Sequence, residues 1–497
     1  MITNSIKIGF LVSLMLWVFA CNESQNGKTS EGTVAVETRM GTLEFSHDFE
    51  NGIPTEESVE KLFDEMDFQR ACQAYLWGLG PASFMVWQSE AKEKFGAGNL
   101  DIVSYATYEH KLGILTANAT TPYLAGFTNL AETGPLVIEV PVGPTAGLVN
   151  DFWHRNVTDM GVTGPDRGKG ARYLILGPGQ SVESESGFRV VHSSTLNIFW
   201  GTRILDPDPA KAVALRKQFR AYPYSSRLNP PEMRMITPED GVSWLGVQPR
   251  GIQYWEVLSE YINREPVQER DRLIMAMLKP LGIEKGKPFN PTERQKKILI
   301  EAALVGEAMA KANSFDKRFA GARYWPDRYW DELMMVHPTQ KTENFDQLDE
   351  RAAYQYEAST TSMAMISKTP GRGQAYLGCY RDKKGNGLDG SKTYRLRIPA
   401  VVPAKNFWSL TVYDVVTRCL IDNPQRQADR SSRQADLVKN DDGTIDLYIG
   451  PKAPEGFEKN WVPSVPGKGW FAYFRLYGPT EAHFDKTWKL GDIELVK

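Results

Sequence analysis

Cysteine and histidine are scarce in these 497 residues, with four of the first and six of the second. The histidines (His47, His110, His154, His192, His337, His483) show no paired ligand spacing, and no Cys-x-x-Cys occurs, so neither a zinc site nor any other metal or cofactor is expected. Gly-x-Ser-x-Gly, His-Glu-x-x-His and a Walker loop are also missing, which removes the common serine hydrolase, metalloprotease and nucleotide-binding signatures. There is no basic excess either: the formal net charge is −3, so no general field for nucleic acid exists. Beyond the first twenty residues no apolar run is long enough to span a bilayer. The loop from Arg381 to Gly390 has Lys383 and Lys384 where a calcium loop needs oxygen ligands, and reads as a polar hairpin.

What is present begins with an export signal. Lys7 precedes an apolar run from Ile8 to Ala20, and Val18-Phe19-Ala20-Cys21 resembles a bacterial lipobox. The expectation is a signal peptide over 1–21, lipidation of Cys21, and placement in the cell envelope by that anchor alone. Asn22 in place of Asp implies the outer membrane. Residues 22–45 read as a flexible tether. The three remaining cysteines, Cys72, Cys379 and Cys419, cannot all pair, and buried free thiols are expected.

With 41% hydrophobic and 11% aromatic residues, the body has the composition of a folded, strand-leaning protein. Residues 46–205 read as a helix followed by β-favouring runs bounded by Gly and Pro. The helical pattern is interrupted at Gly78, Gly80 and Pro81. Residues 206–350 read as a helical bridge, with Thr292 opening its longest helix. Residues 351–497 are β again. The fold class is therefore mixed but mainly β, with two jelly-roll-like antiparallel sandwich units joined by helices.

Two alternating segments, 406–414 and 469–479, carry the candidate chemistry. In one, Trp408, Leu410 and Val412 share a face opposite Phe407, Ser409, Thr411 and Tyr413. In the other, Trp470, Ala472, Phe474 and Leu476 lie opposite Phe471, Tyr473, Arg475 and Tyr477. A guanidinium in mid-strand needs a partner. That partner is either an internal carboxylate such as Asp159 or Asp382, or an anionic, oxygen-rich ligand held with help from Tyr477, Tyr413 and Ser409. Trp408 reads as core. Trp461, beside Asn460, reads as either a saccharide platform or a loop anchor. The run 151–159 reads as a turn around a satisfied histidine.

These residues also resemble a known pair of bacterial families. Asp389-Gly390 before a Tyr-x-Leu-x-Ile strand, Phe407-Trp408-Ser409-Leu410-Thr411-x-Tyr413-Asp414, Asn460-Trp461-x-Pro463 and Arg475-Leu476-Tyr477-x-Pro479 are similar to domain of unknown function 1214. Gly134-Pro135-Leu136-Val137-Ile138 through Asp159, Gly170 and Gly177-Pro178 resemble its companion, domain of unknown function 1254. The run from Pro280 to Phe289 is similar to their connector. The resemblance implies two jelly-roll-like units with helices between them and no particular activity. Where that family reads Thr-Pro-Asn-x-Asp-Thr-x-Tyr, this chain has Ala117-Asn118-Ala119-Thr120-Thr121-Pro122-Tyr123. Asn118 and Thr121 keep polar positions, and the acid is missing.

The resulting expectation is recognition, with or without processing, of an oxygen-rich small molecule or saccharide by Arg475, Tyr477, Tyr413, Asn460, Trp461, Ser409, Asn118 and Asp159. One alternative is a hydrolase or lyase with a carboxylate and tyrosine as acid and base. The other is a structural envelope protein acting by contact. Self-association is left open.

Overall fold

The longest element, the helix Glu56–Phe95, runs unbroken through the Gly-Leu-Gly-Pro stretch where the sequence predicts an interruption. Its neighbours explain why. Pro81 has no N–H, so the Trp77 carbonyl loses its helical donor; Arg351 Nη2 donates to that carbonyl instead, at 3.4 Å. Two further carbonyls of this stretch take side-chain partners as well. Gln248 Nε2 reaches Leu79 at 3.3 Å, and His154 Nε2 lies 2.9 Å from the Gly80 oxygen. The glycines serve close approach. A Cβ on Gly80 would lie 2.6 Å from the Gln355 side chain, and one on Gly78 would lie 2.8 Å from the Tyr254 hydroxyl.

The structure, a computed structural model, describes residues 33–496, which fall into two compact units that meet in sequence at Asp67 and Phe68. In the first, Val34–Thr38 and Gly41–Phe45 pair as an antiparallel hairpin. This corrects the flexible tether expected there: Val36, Leu43 and Phe45 give the segment enough alternation to fold. The export signal and Cys21 lie outside the described residues.

In the second unit, a six-stranded and a four-stranded sheet are followed by another such pair. All pairing is antiparallel except at three short ladders. The first two sheets share a core. Val149, Ile198 and Trp200 from the larger and Ile138, Tyr173 and Ile175 from the smaller form one buried cluster. Two strands from the expected bridge belong to these sheets: Arg220–Pro223 pairs with Leu136–Val140, and Met235–Ile236 with Ile102–Tyr105. The bridge's first helix, Pro209–Arg216, precedes both strands, and the next follows them at Ile252–Arg264. The helix Glu293–Phe315 opens with the expected Thr292, in a capping box closed by Gln295. Cys72, Cys379 and Cys419 are buried and unbridged.

Gly306 lies inside that helix, where alanine would ordinarily be favoured by about 1 kcal/mol. A Cβ there would sit 2.6 Å from the Tyr75 ring. Gly306→Ala is therefore expected to destabilise the protein by about 1–3 kcal/mol, measured as a lower denaturation midpoint. An unchanged or higher midpoint would show that the two helices tolerate wider spacing.

Candidate functional site

Gly469–Pro479 is the central strand of the C-terminal six-stranded sheet, with Gln374–Cys379 on one side and Ala404–Asp414 on the other. Alternation gives it the two predicted faces. Trp408 stacks on Phe474 at 5.6 Å inside the core, whereas Tyr473, Arg475 and Tyr477 line a cavity. Arg475 is only 4% exposed and sits across from Ser409 and Tyr376 in register. It donates to Thr411 Oγ1 at 3.1 Å and to the Thr116 carbonyl at 2.8 Å.

The internal ion pair weighed for this guanidinium is not made. Asp382 accepts the Lys384 and Asn386 backbone N–H groups of its own polar hairpin. Asp159 accepts from Asn156 Nδ2 and the Ala364 N–H. Arg475 instead lies among rings, 5.1 Å from the centroid of Tyr473 and 5.6 Å from that of Tyr413. Burial opposes its charge; the phenolic oxygens of Tyr413, Tyr477, Tyr123 and Tyr376 outweigh that effect and hold its pKa above the ordinary value.

A second guanidinium faces the same space. Arg203 lies on Asn197–Ile204 with Phe199 and Gly201, opposite the face that carries Ile198 and Trp200 into the core. Burial works against its charge too, the phenols of Tyr376, Tyr123 and Tyr477 favour it, and Arg475 repels it. Tyr477 feels the reverse: burial pushes its pKa up while Arg475 and Arg203 pull it back. Sequence reasoning missed Arg203, although the signal was similar to that of Arg475, one cation in a largely apolar strand.

The cavity has a volume of about 1380 Å³ and lies between the two six-stranded sheets, with Tyr123 and Arg203 on one wall and Tyr376 and Arg475 on the other. Its lining holds six cationic side chains (Arg167, Arg203, Arg372, Lys405, Arg433 and Arg475) and one carboxylate, Asp159. Among the described residues none of the six pairs with a carboxylate. Burial raises the pKa of Asp159 against its hydrogen bonds. Thr116, also in the lining, has φ of 37°, unusual for a β-branched residue. It is fixed there by its N–H to the Arg418 carbonyl and by Arg475 on its own oxygen.

The other predicted residues divide. Asn118 Nδ2 donates to the Tyr477 hydroxyl, and the Asn118 N–H donates to the Tyr123 hydroxyl at 2.8 Å, so Asn118 joins the site. Tyr413 stands behind the wall and donates to the Ala117 carbonyl at 2.8 Å, supporting the 114–118 segment. Ser409 is buried under Arg475 and does not reach the cavity. Asn460 and Trp461 are placed elsewhere, which corrects their assignment. Asn460 is fully buried and clamps Val438 and Asp446 through backbone hydrogen bonds, while Trp461 Nε1 anchors on the Gly450 carbonyl at 2.8 Å. Both are loop fasteners. His154 occupies a turn at φ 62°, its ring 3.8 Å from that of Phe84 and tilted by 34°. Among the described residues no cluster of His, Cys, Asp or Glu has metal-binding arrangement, and no helix is long and apolar enough to cross a membrane.

Two family models match the chain: protein of unknown function DUF1254 over residues 99–223 and protein of unknown function DUF1214 over 373–481. Among solved structures, the chain is similar to the VPA0106 protein from Vibrio parahaemolyticus at 18% identity and a TM-score of 0.53, covering 87% of this chain and 100% of that one. It is also similar to a putative uncharacterized protein from Burkholderia cenocepacia at 9% identity and a TM-score of 0.40, covering 88% and 97%. No curated protein matches it. Arg203 falls within the first matched segment and Arg475 within the second, so the chain is similar to the DUF1254 family over the one and to the DUF1214 family over the other.

Proposed function

We propose that this protein binds an oxygen-rich acid, either a small carboxylate or an acidic saccharide, in the cavity between its two large sheets. Arg203 and Arg475 would neutralise the acid, and Asn118, Tyr123, Tyr376 and Tyr477 would bond its remaining oxygens. The observation that carries this reading is the set of six lining cations without a carboxylate partner. The surrounding phenols favour the two inner guanidiniums, and a carboxylate would supply the full counter-charge that phenols do not. The hydrolase or lyase alternative needs a carboxylate and a tyrosine as acid and base, and although tyrosines line the cavity its one carboxylate is Asp159. Paired-carboxylate glycoside chemistry has only Asp159 in the lining to draw on, and that group is already held by Asn156 and Ala364. Binding is therefore preferred to processing.

The test is thermal denaturation of the protein against small carboxylates, uronic acids and neutral sugars. Acids at a hundredfold excess over Kd are expected to stabilise by about 2.7 kcal/mol, with neutral sugars inert. Stabilisation by neutral sugars alone, or by none of the panel, would sink the proposal.

We further infer an exported protein held to the outer membrane by lipid on Cys21, supported by the lipobox-like Val18 to Cys21. Mass spectrometry of the mature chain is expected to find a diacylglyceryl group on Cys21, and Cys21→Ser to release the protein from membranes. An unmodified N-terminus at another residue would refute this.

A further inference from the structure

The cationic end occupies only part of the cavity. Leu148, Val162, Leu333, Met334, Met363 and Met365 also line it. Met334 and Met365 rest against the buried cluster of Val336, Tyr354 and Ala358, and Met363 stays 48% exposed. The 3₁₀ turn Met363–Met365 is tied to the strand Asn156–Gly161 by the Ala364 N–H bond to Asp159, 3.1 Å long. That bond brings the methionines beside Leu148, the register partner of Asp159. Unbranched, polarizable methionine side chains adapt to irregular apolar shapes, and apolar surface turned into a solvent-reachable cavity marks where an apolar partner lies.

Resting on the acid-binding reading, we propose that the occupant is an amphipathic monocarboxylic acid. Its carboxylate meets Arg203 and Arg475, and its hydrocarbon body runs along the methionine and leucine wall. A polyanion fits this wall poorly, because Asp159 is the lining residue beside the methionines and repels a second acid group there. A hydroxyl-rich sugar would leave its hydroxyls against thioethers and methyls without strong partners. The volume of about 1380 Å³ is more than one short acid fills. The exposed outer cations, Arg167, Arg372, Lys405 and Arg433, attract acids from solution.

The experiment is calorimetric titration of the full-length protein with linear monocarboxylic acids from four to twelve carbons, beside glucuronate and dicarboxylates of matched length. Affinity is expected to rise about three- to fourfold per added methylene until the wall is covered. Met363→Gln combined with Met334→Gln should flatten that slope and leave the four-carbon acid unchanged. Arg475→Gln should weaken every member alike. Acids that bind without dependence on chain length, or glucuronate or a dicarboxylate binding as tightly as the matched monocarboxylate, would overturn this inference and leave the acid-binding reading standing. Failure of every acid to bind would overturn both.

Discussion

Arg475→Met is expected to weaken acid binding by roughly two orders of magnitude, about 3 kcal/mol, because it removes the most deeply placed charge in the cavity. The same change at Arg203 should cost a similar share of affinity, with a different effect on the empty protein. Arg475 holds Thr116 and Thr411 by hydrogen bonds, so its loss should destabilise the ligand-free fold by about 1 kcal/mol. Arg203 repels Arg475 and has no carboxylate partner among the described residues. Tyr376, Tyr123 and Tyr477 outweigh burial and that repulsion and favour its charge, so its replacement by Met should leave ligand-free stability within about 1 kcal/mol while removing ligand-induced stabilisation. Denaturant titrations with and without acid separate these outcomes. A larger fall in ligand-free stability in Arg203→Met would identify Arg203 as a structural strut.

The second large effect is acid lability. Burial, assisted by Arg351, lowers the pKa of His154 from 6.5 to about 3, and burial with Lys486 lowers that of His483 to about 4. Below pH 6.5 the unfolded chain takes up a proton at each position while the folded chain takes up neither until far lower pH. The stability is therefore complete above pH 6.5 and falls as pH drops, by about 1.4 kcal/mol per pH unit for each histidine once it is protonated in the unfolded chain. Buried carboxyls such as Glu357 and Asp429, with raised pKa values, act in the opposite sense. The histidine part is therefore read as the difference between the protein and its histidine variants between pH 6.5 and 5. Denaturation free energies at pH 7.5, 6 and 5 should show the decline, and His154→Asn with His483→Gln should reduce it by at least half. Asn is suitable at 154 because it tolerates the positive φ. A difference that stays constant from pH 6.5 to 5 would refute the assignment.

Much of the fold was legible because strand alternation and caps are local signals. The two faces of Gly469–Pro479, the core position of Trp408 and the Thr292 cap all follow from spacing. The unbroken Glu56–Phe95 helix was not legible, since the groups that rescue its carbonyls, Gln248, Arg351 and His154, come from distant parts of the chain. The site was half legible. Arg475 and Tyr477 came from strand alternation and Asn118 from the family resemblance, and all three line the cavity. Arg203 became visible only when its strand was seen to face Arg475 across the cavity. Asn460 and Trp461 misled because a buried amide and an indole bind backbone as readily as they bind sugar.

The two guanidiniums hang from different modules of the chain, Arg203 from the residues matched as DUF1254 and Arg475 from those matched as DUF1214. Neither module carries a complete socket. On the proposed acid-binding reading, a gene fission separating them would leave each product with half a charge clamp, and selection would keep the two inherited as one reading frame.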